Sequence, residues 1–196
     1  MKDSNNVLNE IQLVVFDLAS EHYGVDISDV REIMRMQTIT KVPGALTCVE
    51  GVINLRGKVL PVMDLRKRLE LKAVDKTEDS RIVIIDISNG QVGVIVDAVT
   101  EVLRVENASI DPPSSMISHG KTDYLKGIAK LSDRLIILLD LRKLLSQKAI
   151  SDTIKLAEES QNKIDEKEAP VTTGNGNKKK AAELTDKINI KEYVVT

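Results

Sequence analysis

The 196-residue chain sets 28 Lys+Arg against 30 Asp+Glu for a net charge of −2, with 42% hydrophobic and 30% charged residues. That is the profile of a soluble globular protein with enough chain for one good core or two small ones. The balanced charge provides no field for phosphate backbones or anionic membranes, and Phe16, Tyr23, Tyr124 and Tyr193 make up only 2% aromatics, too few to stack bases, so nucleic acid is excluded.

Cys48 is the single cysteine, which leaves no intrachain disulfide and fits a reducing compartment. The polar residues 1–6 and the lack of any apolar run near the ~18 residues of a spanning helix predict a cytosolic protein without direct membrane insertion.

In chain order, residues 1–9 are expected to be a flexible arm. Residues 11–18 read as a buried strand, 20–22 as a turn and 23–27 as the returning strand. Ser28 is expected to cap a helical turn over 29–33, followed by an extended segment to Val42 and a break at Pro43-Gly44. Two short strands then flank an Arg56-Gly57 turn, where Gly57 supplies the positive φ of a two-residue hairpin. After Pro61 the period changes, and Asp64 caps a basic helical turn over 65–69.

A polar connector, 72–80, leads to a strand over 81–87, the hairpin signal Asn89-Gly90 and a returning strand over 92–96. Residues 97–102 match the helical turn predicted after Ser28. Asp111-Pro112-Pro113-Ser114-Ser115 should be an exposed loop. From Asp140 a helical pattern runs to about Lys167, then a linker rich in Gly, Asn and Lys. Residues 181–188 form a short helix and 191–196 a strand-like end in this reading.

The segment 51–69 returns at 127–145, with seven of 19 positions identical at an offset of 76. A second match, at offset 69, pairs Gly24 with Gly93, Val25 with Val94, Val30 with Val99, Glu32 with Glu101 and Arg35 with Arg104. The chain is therefore an internal duplication. Five short strands per copy close most simply as a small barrel, so the prediction is a mainly β fold of two tandem five-stranded barrels with short helices and a helical or flexible C-terminal tail. A two-layer sandwich is the alternative.

The first barrel is assigned mainly to residues 20–80 and the second mainly to 81–145, with exchange of end segments allowed, inside one domain over 10–150; 151–196 is the tail. The copies differ most at the turn, where Asn54-Leu55-Arg56-Gly57 faces Lys130-Leu131-Ser132-Asp133, so a one-sided function is expected around Arg56.

No catalytic residues, metal ligands or cofactor site can be assembled. His22 and His119 both fall in predicted turns, away from any Cys or carboxylate pattern of ligand spacing. His119-Gly120-Lys121-Thr122 lacks the first glycine of a phosphate loop, since Ser115 stands there. The repeated Asp64/Asp140 and Asp17/Asp86 read as helix caps and turn bonds rather than catalytic carboxylates. Cys48 reads as a small buried group. These readings point away from an enzyme.

The run Gly51-Val52-Ile53-Asn54-Leu55-Arg56-Gly57-Lys58-Val59-Leu60-Pro61-Val62-Met63-Asp64-Leu65 resembles the CheW family of chemotaxis coupling proteins, as do Tyr23-Gly24-Val25-Asp26-Ile27, Val30-Arg31-Glu32-Ile33, Gly93-Val94-Ile95-Val96-Asp97 and Tyr124-Leu125-Lys126-Gly127. The resemblance covers roughly residues 10–150. It implies two SH3-like barrels acting as a scaffold that couples the cytoplasmic tip of methyl-accepting transmembrane chemoreceptors to the regulatory domain of the histidine kinase CheA, and that meets other CheW-like domains in receptor arrays.

By this resemblance, Val30, Glu32 and Arg56 match partner-contact positions, and Gly51 and Gly57 structurally sensitive ones. An apolar groove where the barrels meet is expected to hold the receptor tip through Val30 and Ile33, and with the turn residues Asn54 and Gly57 these complete the expected partner-binding set. Gly24, Gly51, Asp64, Gly93, Gly127 and Asp140, most of them shared by the two copies, are the expected structural set. An adaptor of a non-motility chemosensory pathway and a small-ligand sensor using the inter-barrel groove are the alternative functions. The tail beyond about residue 150 departs from the compact ending of the family.

Overall fold

The computed structural model describes residues 10–87, 90–113 and 123–145, together with a two-residue strand at Lys187–Ile188. Its strands are β1 (Glu10–Leu18), β2 (Glu21–Asp26), β3 (Val30–Arg35), β4 (Val49–Leu55), β5 (Lys58–Asp64), β6 (Arg81–Ile87), β7 (Gly90–Val96), β8 (Ala98–Glu106), β9 (Ile110–Asp111), β10 (Leu125–Lys130), β11 (Leu135–Leu139) and β12 (Lys187–Ile188). Two short helices, α1 (Leu65–Arg68) and α2 (Leu141–Leu145), follow β5 and β11.

The strands form two six-stranded sheets, β8-β1-β2-β11-β10-β9 and β12-β3-β6-β7-β5-β4. The fold is the mainly β, SH3-like pair expected, but the chain is shared out differently between its halves. β6 and β7, assigned to the second barrel, pair with β3–β5, whereas β1 and β2 sit between β8 and β11. The exchange is fixed by two parallel pairings, Val62↔Gly93 between β5 and β7 and Leu138↔Gly24 between β11 and β2. These are the same junction repeated: Val62 and Leu138 differ by the repeat offset of 76, and Gly24 and Gly93 by 69.

Side-chain alternation explains why the halves cohere. On β6, Ile82 and Ile84 enter a core with Met34, Ile53, Leu60, Val62 and Ile95, all from one sheet. Their neighbours Val83 and Ile85 enter a larger core shared by both sheets, with Val14, Phe16, Leu18, Val25 and Ile33. β1 does the same on the other side, with Leu13 and Val15 in a third core beside Ile136 and Leu138. Because successive strand residues point to opposite faces, an unbroken aliphatic run is a strand buried on both. Each such side chain contributes roughly 1.5–3 kcal/mol of burial.

Four local expectations need correcting. The helical turn predicted over 29–33 is strand β3; only Ile27–Asp29 is helical, as a 3-10 turn capped by Asp26 rather than Ser28, with the Asp26 side chain accepting from Ser28 N at 2.9 Å. Its counterpart at 97–102 is likewise the start of β8. Val30 and Ile33, or Val99 and Val102, are better housed in a pleated strand, and a bulge between Val30 and Glu32 produces the shift in spacing that resembled a helix. His22 lies in β2, not in a turn. Lys187 and Ile188, placed in a terminal helix, form a strand. His119, the Asn89 half of Asn89-Gly90, Ser114, Ser115 and most of the tail lie outside the described residues.

Candidate functional site

The β4–β5 hairpin turns on Arg56 and Gly57, with φ of 54° and 85°. Two successive positive φ values give a turn whose twist matches the flanking strands. Gly57 takes this conformation at no steric cost, whereas Arg56 adopts it against preference. Asn54 secures the turn, its Oδ1 accepting from Gly57 N at 2.8 Å. The hairpin register runs from Leu55↔Lys58 back through Ile53↔Leu60, so the buried Ile53 and Leu60 anchor it to the core.

At this tip the Arg56 guanidinium reaches Glu32 on β3. Arg56 Nη2 donates to both carboxylate oxygens, at 3.0 and 2.9 Å. The Arg56 side chain is 56% exposed and that of Glu32 18%. Both bonds come from one nitrogen, so the rest of the fork is not taken up by Glu32 and its planar donors suit a carboxylate or backbone carbonyl of another molecule. Beside the pair lies a recess of about 380 Å³ lined by Arg31, Glu32, Leu55, Arg56, Lys58 and Gln91. Three cations around one carboxylate make its rim favour an anionic or carbonyl-rich surface.

The other residues expected to bind partners divide by depth. Asn54 and Gly57 are exposed on the turn. Val30 is 9% exposed and Ile33 fully buried, both in the core shared by the two sheets. Ile33 therefore does not touch a partner directly; with Val30 it fixes β3, which carries Glu32. The expected apolar groove between barrels is, over these residues, a packed interior.

The structural residues occupy paired positions. Gly51 sits at the bulge that follows Val49 in β4, and Gly127 at the one that follows Leu125 in β10. At Gly51 the backbone has φ 146° and an added Cβ would lie 2.1 Å from Thr40 O, so no other residue fits. Gly24 and Gly93 lie at the parallel junctions. Asp64 caps α1, accepting from Lys67 N at 3.2 Å, and Asp140 does the same for α2 at 3.0 Å from Lys143 N. Their own N–H groups donate to Cys48 O at 2.8 Å and Tyr124 O at 2.7 Å, again one repeat apart.

The ionic contacts at Glu101, Asp29 and Asp97 were not foreseen. Arg134 donates to Glu101, which gives the back half an arginine–glutamate pair of its own, although its turn tip is Ser132-Asp133 rather than Arg-Gly. The signal lies one residue past the compared turn, since the repeat sets Arg134 opposite Lys58. Asp29, 7% exposed, takes Arg142 Nη2 at 2.7 Å and Lys126 Nζ at 3.8 Å, tying the start of β3 to α2 and β10. Asp97 accepts Arg66 Nε at 2.6 Å and Ala19 N at 2.9 Å. Burial alone would raise the Asp97 carboxyl, but Arg66 and the Ala19 N–H outweigh it and hold it below the usual carboxylate range.

Burial pushes the Cys48 thiol up despite Arg68 and Lys67 nearby, so it carries little thiolate at neutral pH. His22 Nδ1 bonds Asp17 Oδ1 at 2.7 Å. Among the described residues no group of three or more His, Cys, Asp or Glu is placed to hold a metal, and no helix is long and apolar enough to cross a membrane.

Comparison with known proteins agrees with this architecture. A family model described as CheW-like domain matches residues 12–149. A protein named chemotaxis protein CheW from Treponema pallidum is 32% identical over 151 residues, spanning 75% of this chain and 89% of the relative. One of the same name from Bacillus subtilis is 34% identical over 145 residues, spanning 72% and 93%. The crystal structure of the scaffolding protein TtCheW from Thermoanaerobacter tengcongensis is similar with a TM-score of 0.66 and 43% identity, covering 71% of this chain and 94% of that one.

Proposed function

This chain belongs to the CheW family, and from that premise we propose that it is a non-catalytic adaptor coupling methyl-accepting chemoreceptors to the histidine kinase CheA. It works on the cytoplasmic side, recruited to membrane-associated receptor arrays, and its partners are the cytoplasmic tip of the receptors, the regulatory domain of the kinase and other CheW-like domains. Relatives named chemotaxis proteins, and a structural neighbour titled a scaffolding protein, support the reading.

The observation that carries it is the Arg56 turn. A two-residue hairpin anchored in the core presents a permanently charged fork, steadied by Glu32 yet more than half exposed. Little entropy remains to be lost when a partner docks on such a pre-organised group. Arg56, Glu32, Asn54 and Gly57 form the contact face, while Val30 and Ile33 hold β3 from beneath. Weak contacts of this size suit a protein that acts in many copies, where avidity supplies the binding strength.

The test is reconstitution of receptor membranes, kinase and the Arg56→Glu protein. Receptor-dependent kinase autophosphorylation is expected to fall at least tenfold while circular dichroism and Tm stay at wild-type values. Normal activation by a folded Arg56→Glu protein would refute the role.

A further inference from the structure

An edge strand exposes a row of unpaired N–H and C=O groups, and natural proteins cover or blunt such edges. On its inner side β3 pairs with β6, from Val30↔Ile85 to Arg35↔Arg81. On its outer side its neighbour is β12, antiparallel, with Lys187↔Met34 and Ile188↔Ile33. The other end of this sheet is covered locally, where Thr40 N donates to Val52 O at 2.9 Å and Val52 N to Thr40 O at 2.8 Å. The β3 edge is thus covered from far away in sequence, among the described residues by Lys187 and Ile188.

From these pairings we infer that the outer edge of β3 is a strand-docking site that the chain's own C-terminal segment around Lys187–Ile188 fills in cis and yields to a competing strand. The occupant's sequence suits it. Lys187-Ile188-Asn189-Ile190-Lys191 alternates polar and β-branched residues, the pattern of an edge strand with a charge at each end. Length permits it as well: the 41 residues 146–186 join α2 to β12, and at about 3.3 Å per residue an extended chain of that length outreaches a domain of this size.

The long connection makes the docking reversible. The two described pairs contribute few main-chain hydrogen bonds, and closing a long connection costs entropy that the pairing must offset. Addition of an extended segment to a free edge is an established mode of recognition, with affinity from the main chain. β3 is also the strand that carries Glu32, so occupancy of its edge is felt one residue from the Arg56 contact. The docking itself rests on strand pairing alone and does not depend on the adaptor role.

The experiment is amide hydrogen exchange on the full chain. Ile188→Pro removes an N–H and cannot sit in the ladder; Asn177→Pro, in the same tail but outside it, is the control. In Ile188→Pro the amides of β3 that face away from β6 are expected to exchange about tenfold faster, with β1, β5 and β6 unchanged. Excess synthetic peptide of residues 183–196 should slow them again, and Asn177→Pro should match wild type. Unaltered β3 exchange in Ile188→Pro would overturn the inference. So would wild-type protection that grows with protein concentration, which would show the occupant to be the tail of a second copy.

Discussion

Both halves of the molecule set an arginine beside the β-hairpin turn against a glutamate from another strand, but at different depths. In the front half Arg56 is 56% exposed and Glu32 18%. In the back half the side chains of Arg134 and Glu101 are 30% and 13% exposed, and Arg134 Nε is buried without a hydrogen-bond partner. The same pairing serves presentation in one place and cohesion in the other. What moves it is a two-residue shift of the arginine, from the first turn position to the first position past the turn.

Substitution can break this contrast. In the kinase assay Arg56→Glu should abolish activation, whereas Arg134→Glu should reduce it only in proportion to the protein lost from the folded state; equal, fold-independent losses would make the two sites functionally equivalent. Next in size are the bulge glycines. Gly51→Val should cost roughly 3 kcal/mol, because the clash is with the O of Thr40, a residue whose N and O are both hydrogen-bonded to Val52, and the left-handed φ adds strain. In Gly127→Val the added Cβ would lie 2.5 Å from Asp111 O on the two-residue strand β9, which can give way. About 1–2 kcal/mol is expected there, with urea unfolding as the measurement.

Of similar size, Arg134→Ala leaves a mostly buried carboxylate unpaired and should destabilise by about 1–3 kcal/mol. Arg56→Ala, removing an exposed pair, should change stability by under about 1 kcal/mol. A reversed order would refute the division of roles.

The least effect concerns acid. The folded Asp97 carboxyl is held low, so its stabilisation is present above the ordinary carboxylate range and is lost as pH falls through its depressed folded value. Wild type minus Asp97→Asn, followed as Tm against pH, should therefore be positive at neutral pH and shrink below about pH 4. A flat difference would show that Arg66 gains nothing from the charge.

Much of this architecture was legible because duplication writes itself twice. Asp64 and Asp140 are identified as caps by their recurrence, and Arg56-Gly57 as a turn by local chemistry; both proved right at atomic level. β3 and β8 were not legible as strands. A bulge after Val30 breaks the period of two on which such a reading depends, and Ser28-Asp29 imitates a helix start. Nor does sequence show that Ile33 points into the shared core rather than a groove, since that follows from how the two sheets stack. The contacts of Asp29 with Arg142 and Lys126 span over ninety residues and leave no local trace.

The strands β1 and β6 each give alternate side chains to a private core and to a common one. A molecule wired through such double-sided beams has no detachable module: severing the chain near residue 80 would strip β6 and β7 from one sheet and strand β1 and β2 without theirs. Though its sequence is written twice, the described body is a single mechanical piece.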